Sequence, residues 1–205
     1  MNKFQLTPPS PTVQLHLPDG RALTGPRGAK VGEFLEAVKT DFSAPIVAAI
    51  VNEELHELTH PIERESAVRP VTMDSADGAR IYRRSLVFLL EMAFAELFPK
   101  GKLTIDHSLS SGGYFCQVGE RAALTQPELD SLVSHMRALI KENLPFGRRE
   151  IPLEEAIQYF KKLKFNDKVR LLAHRQKPYL TLYTLKDRMD YMHGYMVPST
   201  GNLKW

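Results

Sequence analysis

A change in hydrophobic periodicity at Asp77-Gly78 constrains the fold of this 205-residue chain more than any other feature. Before this point, short apolar stretches are separated by turn residues, a pattern typical of β-strands. After it, apolar residues recur at helical spacing over residues 79–98, until Pro99 ends the pattern. The sequence therefore predicts an α+β protein with two domains, residues 1–74 and 75–205.

The predicted first domain consists of short strands and one helix. A proline-rich, flexible leader covers residues 1–11, and Pro18-Asp19-Gly20 forms the turn of a hairpin. We expect strands at residues 12–17, 21–24, 46–51 and 68–73, and a helix at 31–40. His56 and His60 fall in a stretch that resembles a polar surface loop.

The predicted second domain follows the long helix with strands at residues 103–107, 114–118 and 179–183, and with helices at 126–143 and from Pro152. The single cysteine, Cys116, lies in an apolar strand, which favours a buried, unreactive side chain. One cysteine also excludes an internal disulfide.

Composition and charge limit the environment and the partners. The longest apolar runs, residues 46–51 and 86–90, are too short for a bilayer span, and no signal peptide is visible. We therefore expect a cytoplasmic protein without a membrane partner. Residues 75–205 carry 20 Lys and Arg against 14 Asp and Glu. This excess is compatible with RNA or nucleotide binding, although ordinary solvated helix faces account for such an excess more often.

A phosphate-binding loop is missing from the sequence. No G-x-x-x-x-G-K-[ST] motif occurs, and the cluster at residues 25–30 has the wrong spacing. Phosphoryl transfer by these residues is therefore excluded.

Two short segments of the first domain resemble a known module. Leu17-Pro18-Asp19-Gly20 and Val51-Asn52-Glu53-Glu54-Leu55 are similar to the TGS domain, which opens threonyl-tRNA synthetases. The resemblance implies a ubiquitin-like β-grasp fold.

Residues 190–201 resemble the D-x-C-x-G-x-H-V-P-S-T-G segment that closes the editing domain of threonyl-tRNA synthetase. The helix at residues 81–90 resembles the editing-domain helix that carries H-x-x-x-H. At the four diagnostic positions this chain has Arg84, Phe88, Met192 and Met196. None of these side chains supplies the imidazole or thiolate that metal binding or proton transfer requires, so we expect neither catalytic residues nor a metal.

The remaining cleft can still bind a ligand. By position in the resembling domain, the candidates are Arg84, Phe88, His107, Asp190, Met192, His193 and Met196. Arg84 is the strongest polar group among them, and Asp190 is its candidate partner because a buried guanidinium must be paired.

A further resemblance covers the segments 82–85, 106–108, 168–172 and 190–205, which are similar to the N-terminal part of bacterial uridine-kinase-like nucleoside kinases. In that family a P-loop kinase domain follows, so it would lie beyond Trp205. ATP and Mg²⁺ would bind there, and no cofactor is expected in this chain.

This resemblance predicts a non-catalytic regulatory region that binds tRNA, other RNA or a nucleotide beside an adjoining kinase domain. Two alternatives stay open, a tRNA-editing deacylase and a purely structural interaction module. Deacylation of mischarged tRNA separates the deacylase from the others.

Overall fold

The computed structural model describes residues 7–109 and 112–204, except for the side chain of His107. The chain divides into two compact units. The first contains the residues up to Arg83 together with Tyr195–Pro198, and the second contains Arg84–Gly194 and the residues from Ser199. The division falls within the helix Ala76–Leu97, and the domain limits inferred above stay a prediction.

The first unit is built on a mixed five-stranded sheet. Its strands are β1 (Thr12–His16), β2 (Ala22–Pro26), β3 (Ile46–Val51), β4 (Glu54–Glu57) and β5 (Ser66–Thr72). Their spatial order is β2-β1-β5-β3-β4, in which β1 and β5 run parallel and the other neighbours antiparallel. With one helix packed against the sheet, this arrangement confirms the predicted β-grasp fold.

Helix α1 (Val31–Leu35) continues as a short 3₁₀ helix, Glu36–Asp41, within the predicted helical range. Phe34, Leu35 and Val38 point into the core of the first unit, as their spacing predicts. Strand β3 is buried along almost its whole length, because α1 covers one face and the neighbouring strands flank both edges.

Strand β4 corrects the prediction of a loop around His56. Asn52 and Glu53 have φ values of 48° and 69°, the conformation of a two-residue hairpin turn, and this turn pairs β4 with β3. The Asn52 side chain also accepts the Ala67 N–H at 3.0 Å and donates to Ser66 Oγ at 3.1 Å. These two bonds attach the turn to β5.

In its described residues, the second unit contains four α-helices and two separate antiparallel sheets. The helices are α2 (Ala76–Leu97), whose last four turns belong to this unit, α3 (Gln126–Lys141), α4 (Leu153–Lys162) and α5 (Asn166–Leu172). The strands are β6 (Lys102–Ser108), β7 (Tyr114–Gly119), β8 (Gly147–Pro152), β9 (Tyr179–Leu185) and β10 (Arg188–Asp190). Their sheets have the orders β6-β7 and β10-β9-β8.

Helices α4 and α5 pack against the three-stranded sheet and enclose the core of the second unit. Phe160, Leu180 and Leu182 are fully buried in this core. The two-stranded sheet is much more exposed, and Cys116 in β7 is itself exposed. The prediction of a buried Cys116 was wrong, because β7 pairs with β6 alone and little of the unit covers it.

The segment Ser199-Thr200-Gly201 has a structural role. Thr200 Oγ1 donates to the Leu139 carbonyl at 2.7 Å and accepts the Leu144 N–H at 2.9 Å. A Cβ at residue 201 would lie 2.2 Å from Asn143 Oδ1, so only glycine can occupy this position without displacing its neighbour. These contacts fix the segment after residue 198 to the end of α3.

Within the described part of the chain, no helix has the length and apolar character required to cross a membrane.

Candidate functional site

The hairpin of β9 and β10 places Asp190 inside the second unit. The two strands are joined at Lys186, whose φ of 53° allows a tight turn, and the register sets Asp190 opposite Tyr183. Asp190 has no exposed surface. A carboxylate in this position is costly unless it is paired and hydrogen-bonded.

Lys168 on α5 supplies that pairing. Its Nζ lies 2.5 Å from Asp190 Oδ1 and 2.6 Å from Oδ2, and the Tyr191 N–H donates to Oδ1 at 2.6 Å. The same Nζ lies 4.9 Å from the ring centroid of Phe165, within the range of a cation–π contact. The expected partner of Asp190 was Arg84, and the partner found in the structure is Lys168. Lys168 belongs to the resembling segment 168–172 but is not among the predicted site residues.

Arg84 lies in α2, is partly buried and rests against Gly194. A Cβ added to Gly194 would lie 2.9 Å from the guanidinium carbon, and the φ of Gly194 is +109°. Both the close approach and the positive φ require glycine here. The structure therefore brings Arg84 to the segment that follows His193.

Phe88 is a core residue of the second unit. Its side chain is fully buried and packs on Phe146, with the two ring centroids 6.0 Å apart. One turn further along the same face, Met92 is only 2% exposed, whereas Arg84 is partly exposed. The helix thus buries both Phe88 and Met92, and neither residue offers a nitrogen or thiolate ligand.

The remaining predicted site residues differ in their surroundings within their own units. His193 is exposed, and its ring meets Tyr191 edge-on at 4.5 Å, beside a cavity of about 430 Å³ that Lys168 also lines. Met192 is partly buried. Met196 is buried and belongs to the first unit, where its N–H donates to Glu57 Oε1 at 3.4 Å. His107 lies in β6, and its side chain is outside the described residues.

Glu91 is a titratable group that is not among the predicted site residues. Burial, reinforced by the negative charge of Asp190, raises the pKa of Glu91 to about 7, although Lys168 and Arg188 lower it. It is the residue three positions after Phe88 on the apolar face of α2. A single acidic residue on such a face was the signal that could have identified it.

The described residues contain no group of three or more His, Cys, Asp or Glu side chains arranged to hold a metal ion. What the second unit offers instead is a set of cations near buried carboxylates. Such groups can bind anions and can hold or release a proton near neutral pH.

Comparison with known proteins gives a consistent relationship for both units. A TGS domain model matches residues 13–72. Threonine–tRNA ligase from Coxiella burnetii is 32% identical over 195 residues, which are 95% of this chain and 30% of the ligase. The chain is a homologue of the N-terminal region of threonine–tRNA ligases, and it carries a TGS domain.

Further threonine–tRNA ligases show the same relationship. The Thermotoga neapolitana ligase is 30% identical over 194 residues, and the Acidithiobacillus ferrooxidans ligase is 32% identical over 191 residues. The chain spans about 30% of the length of these relatives. The predicted TGS domain is thereby confirmed. The predicted kinase parent gains no support from these relatives and stays a prediction.

Proposed function

We propose that this chain is a non-hydrolytic relative of the threonyl-tRNA synthetase editing region and that it binds tRNA. The observation that carries this proposal is its homology, over 95% of its length, to threonine–tRNA ligases. The second unit adds a basic stretch, residues 141–177, with 10 Lys and Arg against 5 Asp and Glu. Basic side chains of this kind neutralise phosphates of a nucleic-acid backbone.

The side chains at the diagnostic positions argue against hydrolysis. Cleavage of an aminoacyl ester requires a base that activates water, or a metal that lowers the pKa of water. Arg84, Phe88, Met192 and Met196 provide neither function. Arg84 and Lys168, in contrast, are cations that suit the phosphate groups of an RNA end.

Binding is tested with fluorescently labelled tRNA specific for threonine, followed by anisotropy at several salt concentrations. We expect the affinity to fall steeply as salt rises, because each neutralised phosphate releases counterions. The double substitution Lys162→Met and Lys164→Met should weaken binding and reduce the salt dependence by about two phosphate contacts.

The matched control is Arg137→Met with Lys30→Met, which removes two exposed charges outside the basic stretch. Its effect should be smaller than that of the Lys162 and Lys164 pair. Failure of the wild-type chain to bind tRNA at low salt would refute the proposal. Equal losses in the two double variants would show that net charge alone is responsible.

One observation favours a second candidate, the editing deacylase. Glu91 has a pKa of about 7 and lies near Asp190 and Lys168, so it could act as a general base in place of the substituted residues. This candidate predicts that the chain hydrolyses the ester bond of threonine-specific tRNA that has been mischarged with serine. Glu91→Gln should lose this activity. Unchanged seryl-tRNA after incubation with the wild-type chain would exclude it and leave the binding function.

The kinase parent predicted from the sequence is tested separately, by the reading frame that follows Trp205. A P-loop encoded there would support regulation of an adjoining kinase domain, with ATP and Mg²⁺ bound in that domain. A ligase catalytic domain or a stop codon would contradict it.

A further inference from the structure

Two buried side-chain atoms in the described part of the chain have no hydrogen-bond partner, Glu91 Oε2 and Arg188 Nε. Buried polar atoms are almost always paired, so each such atom requires an explanation. Both residues line the same cavity of the second unit, which has a volume of about 600 Å³. The two residues that carry an unpaired acceptor and an unpaired donor thus belong to the wall of a single cavity.

The fold explains why these two residues meet. Glu91 and Phe94 lie three residues apart on one face of α2, and Phe98, directly after the helix, donates its N–H to the Phe94 carbonyl at 2.8 Å. Arg188 precedes the buried Asp190 by two residues in β10, so both side chains project from the same face of the strand. The Arg188 guanidinium carbon lies 5.9 Å from the ring centroid of Phe165, which forms another part of the wall.

The rest of the cavity wall is basic. Arg188 is accompanied by four lysines and opposed by Glu91 and Glu120; the lysines are Lys100, Lys102, Lys162 and Lys164. An anionic ligand satisfies this excess of positive charge, and a phosphate accepts several hydrogen bonds from Lys and Arg at once.

The cavity also has an apolar part, formed by Phe94, Phe98 and Phe165. Arg121 stacks on the Phe98 ring, with its guanidinium carbon 4.6 Å from the centroid. The volume of the cavity lies within the range of small-ligand sites in proteins. A ligand for this cavity therefore combines a phosphate, a hydroxyl group for Glu91 and a planar apolar portion.

We propose that this cavity binds a nucleoside monophosphate, with the phosphate held by Arg188 and the lysines and a ribose hydroxyl held by Glu91. The same chemistry is present in a free nucleotide and in the terminal nucleotide of an RNA. The cavity shares Lys162 and Lys164 with the surface tested for tRNA binding, but it includes none of the editing positions. AMP titration and tRNA anisotropy are separate measurements, so the two proposals can fail independently.

The test is isothermal titration of the purified chain with AMP, adenosine and inorganic phosphate. We expect AMP to bind more tightly than either fragment, because it alone reaches all three parts of the cavity. Arg188→Met should weaken AMP binding about tenfold or more, since it removes a charge-assisted hydrogen bond while keeping a stem that packs on Phe165. The matched control Arg137→Met, on an exposed position of α3, should leave it unchanged.

A second variant, Glu91→Gln, tests the site where Arg188→Met fails to fold. Asp190, Lys168 and Arg188 are the charged groups that act on Glu91, and Lys100, Lys102, Lys162, Lys164 and Glu120 face the same cavity. In Glu91→Gln, the glutamine amide keeps a hydrogen-bond donor and an acceptor but stays neutral at every pH. Above pH 7 the wild-type carboxylate repels the phosphate, so Glu91→Gln should bind AMP about fivefold more tightly at pH 8 and equally at pH 6. AMP itself ionises in the same way in the titrations of wild type and Glu91→Gln, so we compare the ratio of the two affinities at each pH.

An RNA hairpin with a single-stranded 3′ end then identifies the source of the ligand. Competition between this RNA and AMP assigns the cavity to the terminal nucleotide, and independent binding assigns it to a free nucleotide. Absence of AMP binding at millimolar concentration overturns the cavity proposal even where tRNA binds. AMP binding without tRNA binding overturns the proposed function instead. Equal AMP affinity in Arg188→Met and Arg137→Met also refutes the site.

Discussion

Replacement of Lys168 by methionine tests the organisation of the second unit most directly. The substitution keeps the long stem that lies near Phe165 but removes the charge that pairs with both carboxylate oxygens of Asp190. Asp190 would then be a buried carboxylate near Glu91, with the Tyr191 N–H as its remaining described donor. Lys168→Met should therefore lower the free energy of unfolding of the second unit.

The magnitude follows from the burial of the two partners. Breaking a fully buried ion pair costs about 3–5 kcal/mol, because the remaining charge is left without compensation. The side chain of Asp190 is 1% exposed and that of Lys168 is 30% exposed, so water already reaches part of the lysine. We therefore expect a loss of about 2–3 kcal/mol, at or below the lower end of the range for fully buried pairs.

Urea denaturation followed by far-UV circular dichroism measures this loss. Hydrogen exchange of the β9 amides reports on the second unit by itself, which matters because the chain has two units. Lys161→Met, at an exposed position of α4, is the matched control and should cost less than about 0.5 kcal/mol. Adding Asp190→Asn to Lys168→Met should restore part of the stability, because the uncompensated charge disappears. A loss below about 0.5 kcal/mol for Lys168→Met, or no recovery in the double variant, would refute the role of this pair.

Three further changes have defined outcomes. Glu91→Gln should leave stability unchanged near pH 4.5 and increase it above pH 7 by on the order of 2 kcal/mol. The folded-state pKa of Glu91 is raised to about 7, so the wild type loses stability as pH rises from 4.5 to 7; parallel stability curves of the two proteins would contradict this sign. Gly194→Ala should lower the free energy of unfolding by about 1–3 kcal/mol, because φ is +109° and the new Cβ would press on Arg84. Gly113→Ala is the control, since its Cβ has open space and should cost little. Equal melting temperatures of the two variants would exclude the contact between Gly194 and Arg84. Elemental analysis of the untagged protein should find no stoichiometric zinc, and one tightly held equivalent would contradict the loss of the editing residues.

The elements that the sequence predicts well are those with a strong local signal. The hairpin around Pro18-Asp19-Gly20, the buried strand β3 and the helices α2, α3 and α4 all have clear periodicity or turn residues. The elements that were missed are short or lie at a sheet edge: β4, β8, β10 and α5. Strand β8 contains Arg148, Arg149 and Glu150, all exposed, so it has no alternating apolar pattern to detect.

The candidate site shows the same division between local and distant information. The resembling segments 190–201 and 81–90 identified Asp190 and Arg84 as candidates. The structure places Arg84 against Gly194, which lies in the first of these segments. The resemblance did not reveal that Lys168, 22 residues before Asp190 in the sequence, holds the carboxylate. An ion pair between different elements depends on how α5 packs on the sheet, and no periodicity encodes that.

By itself, the sequence determined the types and order of the main elements and the chemistry that is absent. Side-chain identity alone establishes that Phe88, Met192 and Met196 cannot transfer protons or supply the imidazole or thiolate of a zinc site, whatever the fold. The tertiary structure decided which charges are paired and which are buried. The pKa of Glu91 and the cavity that it shares with Arg188 arise because α2 and β10, almost one hundred residues apart, exclude water from the same place. Burial and pairing belong to the assembled unit, and a linear pattern cannot specify them.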